Sequence, residues 1–248
     1  MFLAWLRARA TRNATLVDVV WAANIGLLAL LFAFISDGHF ERRILAAALA
    51  LAWSVRLSLH LGLGRLGHKA EDGRYRGLRD KWGAHADRNF FWFFQAQALL
   101  DAVLALPFLV ASLDPTPAIR AIEWFGAALL IVGVVGETIA DRQLERFKRD
   151  PANRGRTCRT GLWAWSRHPN YFFEWLNWCA FASFAMAAPF GFLALIAPIL
   201  MLFFIVKVTG IPPTEAQALR SRGDDYRDYQ RTTSAFFPWP PKNAGGTA

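Results

Sequence analysis

The chain has 248 residues, of which 54% are hydrophobic, 15% aromatic and only 19% charged. That balance excludes an ordinary soluble domain. Together with 28 Lys and Arg against 19 Asp and Glu and a mean hydropathy of +0.22, it implies a membrane protein with basic flanks. The formal charge of +9 follows from the bias of cytoplasmic loops and from the anionic inner leaflet. No nucleic-acid-binding module is present, so nucleic acid is not expected as a partner.

In chain order, residues 1 to 12 are basic and partly apolar with no small-residue cleavage site, which predicts an interfacial helix and not a removable signal. Six stretches then supply the roughly 20 apolar residues that a bilayer core requires: 15–36, 41–63, 90–112, 119–141, 170–188 and 190–209. The expected fold is all-α and polytopic, with about six transmembrane helices in a range of five to seven, as one membrane domain over 1–248. Pro107, Pro189 and Pro198 fall in or beside these stretches, and Pro189-Phe190-Gly191 predicts a tight hairpin. The run Gly62-Leu63-Gly64-Arg65-Leu66-Gly67 matches GxGxxG. It trails a membrane span instead of joining a strand to a helix, so it reads as a helix exit. The last residues, PPKNAGGTA, read as disordered.

The basic residues test this layout. The N-terminal segment, the loops 64–89 and 142–169, and the tail after 210 hold 23 of the 28, while the other connections carry only Arg42, Arg43 and Arg120. The alternation predicts both termini in the cytoplasm, in a bacterial inner membrane. Cys158 and Cys179 are then in a reducing compartment, where no disulfide is expected. Both cytoplasmic loops are too short for a nucleotide-binding βαβ unit of about 30 residues, so any chemistry must be built from helix ends, loops and the tail.

Ionisable groups at bilayer depth cost several kcal/mol unless they are paired, which makes them functional candidates. Three i, i+4 pairs stand out: Arg56 with His60, Glu137 with Asp141, and Asn170 with Glu174. All lie toward the cytoplasmic ends of their spans. The opposing interpretation is polar glue between helices. Asp18, Asp101 and Lys207 fit packing, capping or snorkelling better. The loop after Asp141, with Arg142, Arg146, Lys148, Arg149, Arg154, Arg156 and Arg159, suits lipid headgroups and also suits the phosphates of a cofactor.

The stretch TGLWAWSRHPNYFFEW (160–175), preceded by GETIADRQLERFK and followed by KVTGIPP and DDYRDYQRTTSAFFPW, resembles the C-terminal half of the steroid 5-alpha reductase superfamily. The likeness is greatest to a bacterial branch filed as a domain of unknown function. It extends from Val17-Asp18-Val19-Val20-Trp21 through Trp53-Ser54-Val55-Arg56 and Glu71-Asp72-Gly73-Arg74-Tyr75 to Phe236-Phe237-Pro238. The resemblance implies a C-terminal cofactor-binding half, about 119–240, with NADPH entering from the cytoplasm and a lipophilic small molecule from the bilayer. By the same resemblance, Asn170 matches the Asn near the nicotinamide amide and Glu174 the Glu near the acceptor carbonyl. Asp141, Lys148 and Arg156 match cofactor-holding positions. Phe173 stands where the reductases have Gly, and the early Gln-Glu pair and substrate-facing Tyr of the animal enzymes have no counterpart. The SRHPNY-like segment is also similar to sterol C14 reductases and isoprenylcysteine carboxyl methyltransferases.

The expected activity is NADPH-dependent reduction of an activated carbon–carbon double bond in a steroid-like, isoprenoid or other enone. Glu174, among Trp175, Phe172 and Phe173, is expected to donate to the carbonyl oxygen, with Tyr171, Tyr75 or His60 assisting. Glu137, Asp141, Arg146, Lys148, Arg156, Arg167, His168 and Asn170 are the expected cofactor contacts. The five histidines form no metal set. The alternative is an S-adenosylmethionine-dependent methyltransferase of a lipid-like substrate, with Arg167 and His168 near the cofactor carboxylate.

Overall fold

The computed structural model describes residues 1–66 and 70–242, so Gly67 of the GxGxxG run and residues 243–248 of the tail lie outside the described residues. Among the described residues the regular structure is all helical, without a strand. The helices are α1 (Phe2–Thr11), α2 (Val17–Ile35), α3 (Phe40–Leu66), α4 (Gly73–Trp82), α5 (Ala86–Leu104), α6 (Leu106–Ser112), α7 (Ala121–Arg149), α8 (Pro169–Ala185), α9 (Ile196–Phe203), α10 (Ile211–Arg222) and α11 (Asp224–Thr232).

Five helical stretches are long and apolar enough to cross a membrane: Val17–Ile35, Phe40–Leu63, Gly73–Ser112, Ala121–Arg149 and Gly191–Arg222. This is the all-α polytopic architecture the composition implies. The stretch expected as a further span at 170–188 forms α8, which has 17 residues and ends at Ala185, at the short end for a bilayer core. What shortens it is the expected hairpin. Phe190 adopts the left-handed conformation (φ 60°), and a Cβ on Gly191 would lie 2.6 Å from the Ala185 carbonyl oxygen.

Two compact units divide the chain: Met1–Glu123 with Phe184–Ile196, and Trp124–Ser183 with Ala197–Ala248. In the first unit α2 and α3 pack closely. Gly26 lies against Ser54, whose hydroxyl donates to the Ala22 carbonyl at 2.8 Å. An ion-pair network gathers at each end of its helices. At one end Arg42, fully buried, donates to Glu123 at 2.5 Å and to the carbonyls of Asp114, Thr116 and Ala118, while Arg120 pairs with Asp114 and Glu123. Arg43 donates to the carbonyls of Ala33 and Ser36. The three basic residues that break the loop-charge pattern are therefore all neutralised or bound to backbone. At the other end Arg79 pairs with Glu71 at 2.8 Å, Arg74 with Asp18 at 2.8 Å, and the Tyr75 hydroxyl donates to Asp18. Burial raises the Glu71 carboxyl, but the hydrogen bonds from Arg79 and the Ala14 N–H outweigh it and hold the group below its ordinary value.

The second unit packs α7 against α8 through small residues on α7. A Cβ at Gly133 would fall 2.9 Å from Cγ of Asn177, and one at Gly136 2.6 Å from Cζ of Phe173. Trp163, in the turn before α8, donates to the Ala140 carbonyl at 2.9 Å.

Candidate functional site

The second unit contains every expected site residue except His60 and Tyr75. Between α7 and α8 the polar side chains form two rungs. Nearer the start of α8, Asn170 Nδ2 donates to Asp141 Oδ1 at 3.3 Å, and Asn170 Oδ1 accepts from the Tyr171 N–H at 3.0 Å. One turn deeper, Asn177 Nδ2 donates to Glu137 Oε2 at 3.2 Å and to Glu174 Oε2 at 3.5 Å. Trp178 Nε1 donates to Glu174 Oε1 at 2.9 Å. Glu137, Glu174, Asn177 and Trp178 are all buried, while Asp141 and Asn170 are partly exposed. The two rungs thus grade from a half-open polar pair to a closed one.

Asn177 sets the geometry of the deeper rung. Its two amide hydrogens serve two carboxyl groups, and its Oδ1 accepts no N–H or O–H among the described residues. That oxygen lies against Gly133 where any Cβ would stand, the arrangement of a weak Cα–H···O contact at a helix interface. Asn177 and Trp178 are i+3 and i+4 from Glu174, so the helix period itself carried the signal for both.

Arg167 and His168, two of the expected cofactor contacts, meet Glu215 of α10. Arg167 Nε donates to Glu215 at 2.7 Å, and its Nη1 donates to the carbonyls of Gln230 and Thr233 at 3.1 and 2.7 Å. His168 Nε2 lies 3.2 Å from the same carboxylate oxygen, its ring stacked on Tyr171 at 5.2 Å. Gln230 Nε2 completes the hub at 2.7 Å. Burial pushes the His168 imidazole below its ordinary value, with Arg167 adding to this against the pull of Glu215. Sequence reasoning missed Glu215, which sits far downstream on a helix that carries no apolar stripe.

The tail after α11 returns along the turn before α8. The Arg167 N–H donates to the Ser234 carbonyl at 2.8 Å, the Trp239 N–H to the Trp165 carbonyl at 2.9 Å, and Ser166 Oγ to the Phe236 carbonyl at 2.8 Å. Phe172 and Trp175 stack edge-on against Phe236 and Phe237. The tail therefore fixes the segment from which Asn170 and Glu174 project.

The basic loop is not uniform. Arg149 pairs with Glu145 and Arg159 with Asp225. Arg146 and Arg156 are exposed, with no ion pair or hydrogen bond among the described residues. At 3.6 residues per turn, Lys148 shares the α7 face of Glu137 and Asp141, whereas Arg146 shares the face of Val132, Ile139 and Gln143. Tyr171 is half-buried, its hydroxyl 3.1 Å from Thr214 Oγ1. In the first unit, His60 is exposed and Arg56 partly buried on α3.

Comparison with known proteins gives one family and one relative. Over 92% of its length this chain is 28% identical to an uncharacterized protein of Schizosaccharomyces pombe, covering 73% of that protein. No solved structure matches the chain. A family model, described as a protein of unknown function (DUF1295), matches residues 4–233, and the chain belongs to that family.

Proposed function

We propose that this protein is an NADPH-dependent reductase of an activated carbon–carbon double bond in a lipophilic enone, and that its family is a branch of the steroid 5-alpha reductase superfamily. The observation that carries this reading is the pair of rungs between α7 and α8: Asp141 with Asn170 at the half-open end, and Glu137, Asn177 and Glu174 in the closed part. A soluble cofactor and a bilayer-borne acceptor need that order of polar groups along one helix interface.

The chain's own side chains fit a phosphorylated dinucleotide. Arg156 offers a guanidinium not engaged elsewhere among the described residues, and Lys148 lies on the Asp141 face. Both suit phosphate oxygens. Asn170 and Asp141 would orient the nicotinamide end. When bound, NADPH supplies a hydride to the β carbon of the enone. Glu174 holds a proton toward the carbonyl oxygen and stabilises the charge that develops there. Tyr171 supplies the proton that completes the saturated product. The carboxylate and amide pair Asp141 with Asn170, beside the face that carries Lys148, supports hydride over methyl transfer, because a dinucleotide has a ribose and an extra phosphate to hold there.

The test is turnover by detergent-purified protein of a 3-oxo-4-ene steroid and of a linear enone. NADPH-dependent gain of two hydrogens by either probe is expected. Transfer of a methyl group from S-adenosylmethionine, with no reduction of any enone, would overturn the reading.

A further inference from the structure

A second site lies on the other face of α7. There an open groove of about 560 Å³ follows the helix, walled by Val132, Val135 and Ile139 and floored where Phe173 covers Gly136. Its far end reaches Gln143 and Trp165. Gln143 Oε1 accepts from the Leu162 N–H at 2.9 Å, and its Nε2 has no acceptor among the described residues. Gly161, at φ 60°, leaves the space that the Gln143 amide fills. One turn further on the same face stands Arg146, with Arg142 beside it, both exposed and unpaired among the described residues.

The face is therefore ordered as hydrocarbon, then a hydrogen-bond donor, then cationic forks. Val132 to Gln143 spans ~16 Å at 1.5 Å per residue, against about 15 Å for the hydrocarbon of one leaflet. Arg146 stands ~4.5 Å beyond Gln143 along the axis, at the level where phosphates follow ester carbonyls. An exposed apolar helix face alone would need only bulk lipid. The unused amide donor and two unpaired guanidiniums in register with it select a lipid that carries a negative charge.

We propose that this face of α7 binds one anionic phospholipid: an acyl chain along Val132, Val135 and Ile139, an ester carbonyl on Gln143 Nε2, and the phosphate on Arg146 and Arg142. The site is separate from the rungs that face α8 and does not depend on the reductase reading. It also moves Arg146 from the cofactor to the lipid.

The experiment is native mass spectrometry and thermal melting of the purified full chain, stripped in detergent and re-supplied with phosphatidylglycerol or phosphatidylcholine. The wild type is expected to retain one phosphatidylglycerol, with at least tenfold preference over phosphatidylcholine. Arg142→Gln with Arg146→Gln should lose that preference at an unchanged lipid-free melting temperature, and Arg154→Gln, which substitutes an exposed arginine beyond the end of α7, should keep it. A phosphatidylglycerol carrying a photoreactive acyl chain should label α7 peptides. Equal retention of the two lipids, or full preference in the double variant, would overturn the proposal. So would a loss of NADPH stabilisation in Arg146→Gln with lipid retention intact, which would return that side chain to the cofactor.

Discussion

Gly136 and Phe173 share one space, and the consequence is measurable. A Cβ on residue 136 would lie 2.6 Å from Cζ of Phe173, with other ring carbons closer still, so Gly136→Ala must displace the ring. Overpacking of this kind costs about 1–3 kcal/mol. At this chain length each kcal/mol lowers the melting temperature by roughly 2–4 °C. A fully buried Phe→Ala change costs about 3–5 kcal/mol. Phe173 is only partly buried, so Phe173→Ala should cost nearer ~2 kcal/mol on that scale. In the double variant the added methyl meets no ring, and the total loss should equal that of Phe173→Ala alone, a coupling of about 2 kcal/mol. Thermal melting of the four proteins in one detergent at one scan rate reads the cycle. Additive losses would refute the claim that the ring and the glycine occupy one volume. They would also remove the explanation of how α7 accommodates the ring of Phe173.

Other changes follow from the same geometry. Glu215→Ala strands the nearly buried Arg167 and releases the tail, and should cost roughly 2–4 kcal/mol on the scale of broken buried pairs, with earlier proteolysis after Thr233; an unchanged digest would contradict the hub. His168 is held neutral below its unfolded value of about 6.5. The unfolded chain therefore takes up a proton first as pH falls, and stability should drop below about pH 6.5 and level off above it. Melting curves between pH 5 and 8 should show this slope diminished in His168→Asn, and an identical slope would place its origin elsewhere. Glu174→Gln should keep NADPH binding and lose turnover of a test enone, and undiminished turnover would remove Glu174 from the reaction.

Much of this is legible in the amino-acid sequence. The pairs Glu137 with Asp141 and Asn170 with Glu174 follow from helical period and bilayer depth; across α7 and α8 Asn170 meets Asp141 directly, and Asn177 joins Glu137 to Glu174. The helical architecture follows from apolar run lengths. What was not legible depends on distant partners. Arg42 finds Glu123 across 81 positions, and Arg167 finds Glu215 across 48, and no local periodicity encodes either. The split of the basic loop between two faces of α7 was legible in principle, because Lys148 and Arg146 differ in helical register. Charge alone groups them together.

On the reading proposed above, the rungs between α7 and α8 receive NADPH. The direct measurement is the melting temperature of the purified protein with NADPH, NADH or S-adenosylmethionine at matched concentrations. A ligand that binds only the folded chain at 100 times its Kd adds about 2.7 kcal/mol. A rise with NADPH, a smaller one with NADH and none with S-adenosylmethionine are expected, together with loss of the NADPH effect in Asn170→Ala. Stabilisation by S-adenosylmethionine alone would contradict that reading.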